Sequence, residues 1–215
     1  SDVYKRQLET REYMQLLLEQ NNRWLVGHMM ELFITKDLFD QLLKSEFPEE
    51  ELARREAERA YLIAQNIFER EDVFIMIYNS ALTNFMLSGE LDFFNKKIVL
   101  DAKERKKQLE HLKNLFLDHR DLHVKMVSGG FSDDFRYITN PCMFLSDTVN
   151  YLRLENDYYD KNILLVRDSQ LREVFNIFYD EIWNDRQDVV VSERQLILEQ
   201  LDNLMNAATL LSDVE

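Results

Sequence analysis

One cysteine, two prolines and four glycines are all that 215 residues hold of the three types that staple, kink or loosen a chain. The lone Cys142 excludes an internal disulfide and suits a reducing cytosol. So little Gly and Pro argues against long flexible linkers or disordered tails. Long apolar runs are missing too. The longest, Val73 to Tyr78, falls far short of a bilayer span, so no membrane partner is expected, and the lone cysteine makes a cytoplasmic protein the expectation. A phosphate-cradling loop is also lacking, because Gly129-Gly130 runs into Phe-Ser-Asp-Asp with no Lys-Ser/Thr. Ser128 and Ser146 stand in no nucleophile elbow. Basic charge is short as well: 26 Lys and Arg face 40 Asp and Glu, a net −14 that argues against direct contact with nucleic acid. The cluster Lys103, Arg105, Lys106, Lys107 sits among Asp101, Glu104 and Glu110 and reads as a solvated helix face.

What is there is ample apolar content, at 46%, enough for one core with a helical extension or for two small ones. The opening Ser1-Asp2-Val3-Tyr4-Lys5-Arg6-Gln7 contains the hexapeptide that a common sequencing-library transposon end encodes in one frame. Residues 1–7 are therefore read as a scar on an environmental gene fragment, with the native protein beginning further upstream.

Residues 8–35 read as helix, with Met14, Leu17, Leu18, Asn21, Leu25, His28, Leu32 and Phe33 near one side. A short helix over Asp37 to Leu43 follows. Phe47-Pro48-Glu49-Glu50 opens another that runs to Glu69. Val73–Tyr78 then reads as a central strand, and Ser80 to Leu87 as either a helical turn or a strand. Lys97–Leu100 is a second strand, Asp101 caps a helix to His119, and Leu122–Val127 is a third strand closed by Ser128-Gly129-Gly130. Cys142–Leu145 and Val149–Leu154 form a hairpin around Asp147. Ile163–Val166 is a buried strand, Arg167-Asp168-Ser169 leads into an amphipathic helix to Trp183, and a last helix covers Ser192 to Leu211. A crossover helix implies a parallel pair and a hairpin an antiparallel one. The expected fold is therefore α/β (α+β): one mixed sheet of about five or six strands with packed helices, preceded by an N-terminal helical region and followed by a C-terminal helix. The expected divisions are 8–70 (helical linker or dimerisation region), 71–186 (α/β domain) and 187–215 (C-terminal helix).

From Val73 to Asn184 this order resembles the phospholipase-D-like domain, in which a strand carries His-x-Lys-x4-Asp before a hairpin, a strand and an aromatic-rich helix. His123-Val124-Lys125 lies in the matching strand, but Gly130 stands where the resemblance requires Asp, and Asp133 and Asp134 come three and four residues late. Enzymes of that family use two such motifs, one His as phosphoryl nucleophile and the other as general acid. No second His-x-Lys appears, so His123 and Lys125 are read as ordinary strand residues and no catalytic residue is assigned. The ending, with Phe175, Ile177, Phe178 and Trp183, resembles non-catalytic modules of this family that follow a helix-turn-helix in bacterial transcription regulators.

Other chemistry is sparse. His111, His119 and His123 with Asp118 and Asp121 are the one His/carboxylate concentration, but their spacing does not converge on a point, and no metal or cofactor is expected. Fourteen Phe, nine Tyr and eight Met suit either a packed core or an adaptable apolar pocket. Phe131, Phe135, Tyr137, Phe144 and Tyr151 are the candidate pocket lining. In the last helix Ile197, Leu201, Leu204, Ala208 and Leu211 alternate by four and three, a seam two heptads long. It either packs within the chain or forms, with residues 8–35, a homodimer interface.

The expectation is a non-enzymatic regulatory, effector-sensing and dimerisation region of a bacterial transcription regulator. DNA would be contacted only through a missing N-terminal domain, and a small-molecule or protein effector would shift its populations. The alternatives are a degenerate α/β enzyme and a stand-alone interaction module.

Overall fold

Arg23-Trp24-Leu25-Val26 is a strand, not the end of a long helix. Trp, Leu and Val suit a pleated surface, and Asn21-Asn22 and Gly27 bracket them. Both faces of this strand are covered, so its apolar residues do not alternate and can be mistaken for helical spacing. This β1 (Arg23–Val26) corrects the helix expected over 8–35 in its described part, residues 21–35. The computed structural model describes residues 21–49, 51–94, 96–128, 139–156, 159–185 and 190–212; Met14, Leu17 and Leu18 lie outside them.

A 3-10 turn at Glu31–Phe33 leads to α1 (Lys36–Glu46), whose first turn is capped by Thr35. Next comes α2 (Glu51–Phe68), where Ala53, Ala57, Ala60 and Ala64 form a buried small-residue stripe in the larger core. Strand β2 (Phe74–Tyr78) runs directly into α3 (Asn79–Ser88), settling the ambiguous Ser80–Leu87 as helix. Gly89 ends α3 at φ 71°, and a Cβ there would lie 2.2 Å from the Leu100 carbonyl oxygen, so only glycine fits. The small hairpin β3 (Glu90–Phe93) and β4 (Lys96–Val99) follows, then α4 (Ala102–Asp118), capped by Asp101, whose carboxylate accepts from the Glu104 amide at 2.8 Å. Strands β5 (His123–Val127), β6 (Thr139–Leu145), β7 (Asn150–Asn156) and β8 (Tyr159–Val166) precede α5 (Ser169–Asp185). A two-residue strand β9 (Val190–Val191) and α6 (Arg194–Ser212) complete the described chain.

Seven strands form one mixed sheet in the order β8-β7-β6-β1-β2-β5-β9. The pairs β1/β2 and β2/β5 are parallel and the rest antiparallel. The α+β class expected from the sequence is what the chain adopts, with one strand more than expected and the N-terminal segment supplying the middle of the sheet. Lys96–Val99 is a strand outside that sheet: it pairs with Glu90–Phe93. Val99 is 71% exposed, and a strand that leaves one side in water pairs locally rather than entering a sheet covered on both faces.

The two faces are unequally dressed. Trp24, Val26, Ile75, Ile77 and Met126 point into a large core with α1, α2, α4, α6 and most of α3. Leu25, Met76, Tyr78, Val127, Met143 and Leu152 point into a smaller core closed by Tyr179 and Ile182 of α5. The described residues from 21 to 70 thus share one sheet-centred core with described residues that follow them. Ile197, Leu201 and Leu204 are buried in the larger core, with α6 against α4 and α3. Of the two alternatives for the seam, these three side chains take the one inside the chain. Nothing is described of the Ala208 and Leu211 side chains.

Candidate functional site

The sheet presents three places where chemistry could gather. At the carboxyl ends of β1, β2 and β5, the usual ligand crevice of a parallel α/β unit, the Gly27 amide donates to the Cys142 sulfur at 3.3 Å. Cys142 is fully buried, and Tyr78 lies near it. Burial first, and the neighbouring thiol second, push Tyr78 far above the ordinary phenol range, so its hydroxyl stays neutral. Gln200 of α6 reaches this edge and donates to the Asn79 side chain at 3.1 Å. Of the residues proposed to line a pocket, Phe131, Phe135 and Tyr137 lie outside the described residues. Phe144 and Tyr151 do not line a cavity: they are cross-strand partners, buried edge to face at 5.8 Å, with Trp24 stacked edge-on at 5.2 Å from Phe144. Aromatic side chains on a sheet covered on both faces become core.

The second place is the contact between the sheet and α5, which takes up the one half-motif in the sequence. Because β5 alternates, His123 and Lys125 point to the α5 side. The His123 ring stacks on Phe74 at 4.7 Å and 10° between planes. The Lys125 amine donates to the Trp183 carbonyl at 2.6 Å and lies 4.4 Å from the centre of the Trp183 ring. It caps the carboxyl end of a helix, where a cation is favoured. Burial lowers the Lys125 pKa. Nearby, the fully buried Tyr179 donates to the Trp24 and Phe74 carbonyls at 3.3 and 2.8 Å, and Arg23 pairs with Asp180 at 3.2 Å. This set binds α5 to the sheet. Sequence reading missed it because it joins residues 58 to 157 positions apart.

The third place comprises two open clefts. One, of about 290 Å³, lies between α1 and α2, where Asp40, Glu51 and Glu58 offset Lys44, Arg54 and Arg55. The other, of about 460 Å³, lies at the end of α4 with Glu69, Asp118, His119, Arg120 and Asp121. His119 caps α4 there, His123 sits on the opposite side of the sheet, and His111 is half-buried on α4 with its pKa lowered by desolvation. Among the described residues no three of His, Cys, Asp and Glu come together to hold a metal ion. No helix among them is long and apolar enough to cross a membrane.

One further surface stands out. On α5, Leu171, Val174 and Ile177 are 46%, 59% and 49% exposed, although the same helix buries Tyr179 and Ile182 beneath it. Sequence reading picked out the aromatic side of this helix. The signal it passed over is that α5 is apolar on a second side. Compared with protein-family models, with curated proteins and with solved structures, the chain matches none.

Proposed function

We propose that this chain is a non-enzymatic regulatory module, the dimerising and effector-sensing region of a bacterial transcription regulator acting in the cytoplasm. What carries the reading is the fate of His123 and Lys125. The only residues with a phosphoryl-transfer pattern are spent on packing, one stacked on Phe74 and the other bonded to the end of α5. A nucleophilic imidazole needs a partner base or acid, and the exposed His123 ring has Phe74 stacked on one face and no hydrogen-bonded acid or base beside it among the described residues. The net charge of −14 supports a role in which this region handles effectors and assembly and leaves phosphate contacts to a different element.

A fusion tests the regulatory half of this reading. The full chain is joined to a DNA-binding head that represses its operator only as a dimer. Repression restored by the fusion is the expected result, and a fusion no better than the isolated head would overturn the dimerising role. The catalytic half is tested on a chromogenic phosphodiester. Turnover that disappears in His123→Ala would overturn the non-enzymatic assignment.

A further inference from the structure

We infer that the outward side of α5 receives a second copy of this chain, the two α5 helices running antiparallel about a two-fold axis between Val174 and Ile177. This rests on the dimerising role proposed above and adds where the interface lies. Elsewhere among the described residues exposed large apolar side chains are scattered: Leu52 and Leu62 stand ten positions apart on α2, and Leu87, Val99, Leu117 and Leu196 occur singly. Such isolated residues are ordinary. On α5 three fall within two turns, and Leu164, also exposed, lies on the α5 side of the sheet, opposite the buried Leu152 in register. Among the described residues α5 supplies most of the helical cover on its face of the sheet, α3 adding only Ala81 to that core, and the stripe itself is exposed.

The pattern along the stripe selects the occupant. Gln170, Val174, Ile177 and Glu181 recur at spacings of four, three and four, polar at both ends and apolar in the middle. A two-fold between Val174 and Ile177 sets each of them on the other's counterpart and brings the Gln170 amide, a donor, opposite the Glu181 carboxylate. A parallel pair would instead oppose Glu181 to Glu181. Charge agrees with the antiparallel choice. After Arg172 the helix carries Glu173, Asp180, Glu181 and Asp185 and no base. Antiparallel pairing turns this acidic end toward the partner's helix N-terminus and its Arg167, which favour negative charge. The same acids, on a chain of −14, repel a nucleic acid or an anionic membrane. Self-complementarity of one patch is what a two-fold interface requires.

Light scattering from about 1 to 100 µM, the range in which a modest self-association shows, reads the mass of the full chain and of Val174→Glu and Ile177→Glu. Both positions face water, so both variants should keep the circular-dichroism melt of the parent. The expected result is a dimeric parent and single-chain mass for each variant. Cross-linking then reads the register. Cys142 is buried, so introduced thiols dominate oxidation. A mixture of Val174→Cys and Ile177→Cys chains should join predominantly as unlike pairs. A dimer indifferent to both glutamates would overturn the α5 interface while leaving a dimerising module standing. A monomeric parent would overturn both, and like pairs in the cross-link would overturn the antiparallel register.

Discussion

The Tyr179 hydroxyl shows how much can hang on one polar atom. It donates to the carbonyls of Trp24 and Phe74 on adjacent strands, and burial raises its pKa well above the phenol range, so it is a permanent donor. Tyr179→Phe leaves both buried carbonyls short of that donor. The expected cost is about 1–3 kcal/mol, or several degrees in Tm by calorimetry; an unchanged Tm would mean that water replaces the hydroxyl. His111 predicts a pH dependence. Desolvation lowers its folded pKa, and its Nε2 is buried with no hydrogen-bond partner. The unfolded chain therefore takes up a proton near the ordinary histidine value of about 6.5 while the folded chain does not. Stability contributed by the neutral ring is full above that value. It declines as pH falls through it, levelling off only below the depressed folded pKa. The Tm difference between about pH 7.5 and 5.5 should be smaller in His111→Gln than in the parent; equal differences in scanning fluorimetry would remove His111 from the pH response.

At the scale of elements, the end of α4 is held from a distance. Arg194, at the start of α6, donates to the carbonyls of Phe116 in the last turn of α4, of its cap His119, and of Arg120 and Leu122 in the loop that follows. Arg194→Ala should lower stability by about 1–3 kcal/mol, and Arg194→Lys should recover only part, since one ammonium cannot span what a planar fork spans. Full rescue by lysine in urea melts would show that charge alone matters. None of this was legible in the sequence, where Arg194 is one base among acids. The helices themselves were legible. Asp101 with Glu104 marks the start of α4, and Leu109, Leu112 and Phe116 mark its inner side, because periodicity and caps are local. Strand β1 was not, because Leu25 and Leu32 fit a helical spacing equally well and only pairing with β2 and β6 decides. Strand β4 was found but misplaced, since no local feature says which partner a four-residue strand takes. For the candidate site, the sequence put His123 and Lys125 on one strand, and only the fold shows that they meet Phe74 and Trp183. The sequence could not show that Phe144 and Tyr151 face each other across two strands.

For the whole molecule, two helices with apolar stripes make opposite predictions. Leu204 is buried in the core shared by α6 and α4, so Leu204→Glu places an unpaired carboxylate in an apolar interior. It should cost several kcal/mol and unfold the chain early rather than merely separate copies. Val174→Glu should do the reverse. Salt distinguishes what drives association. Each copy carries −14, so two copies repel at long range, and that repulsion fades as the Debye length shortens to about 10 Å at 0.1 M. Contact between Val174 and Ile177 is apolar and does not weaken with salt, whereas the Gln170–Glu181 and helix-end contributions are small and exposed. Repulsion is therefore the dominant ionic effect. Self-association measured by sedimentation equilibrium should tighten as NaCl rises from about 20 to 200 mM. An association that loosens over that range would mean charge pairs hold the copies together, and the interface would have to be sought among the basic residues of α2 and α4 instead of on α5.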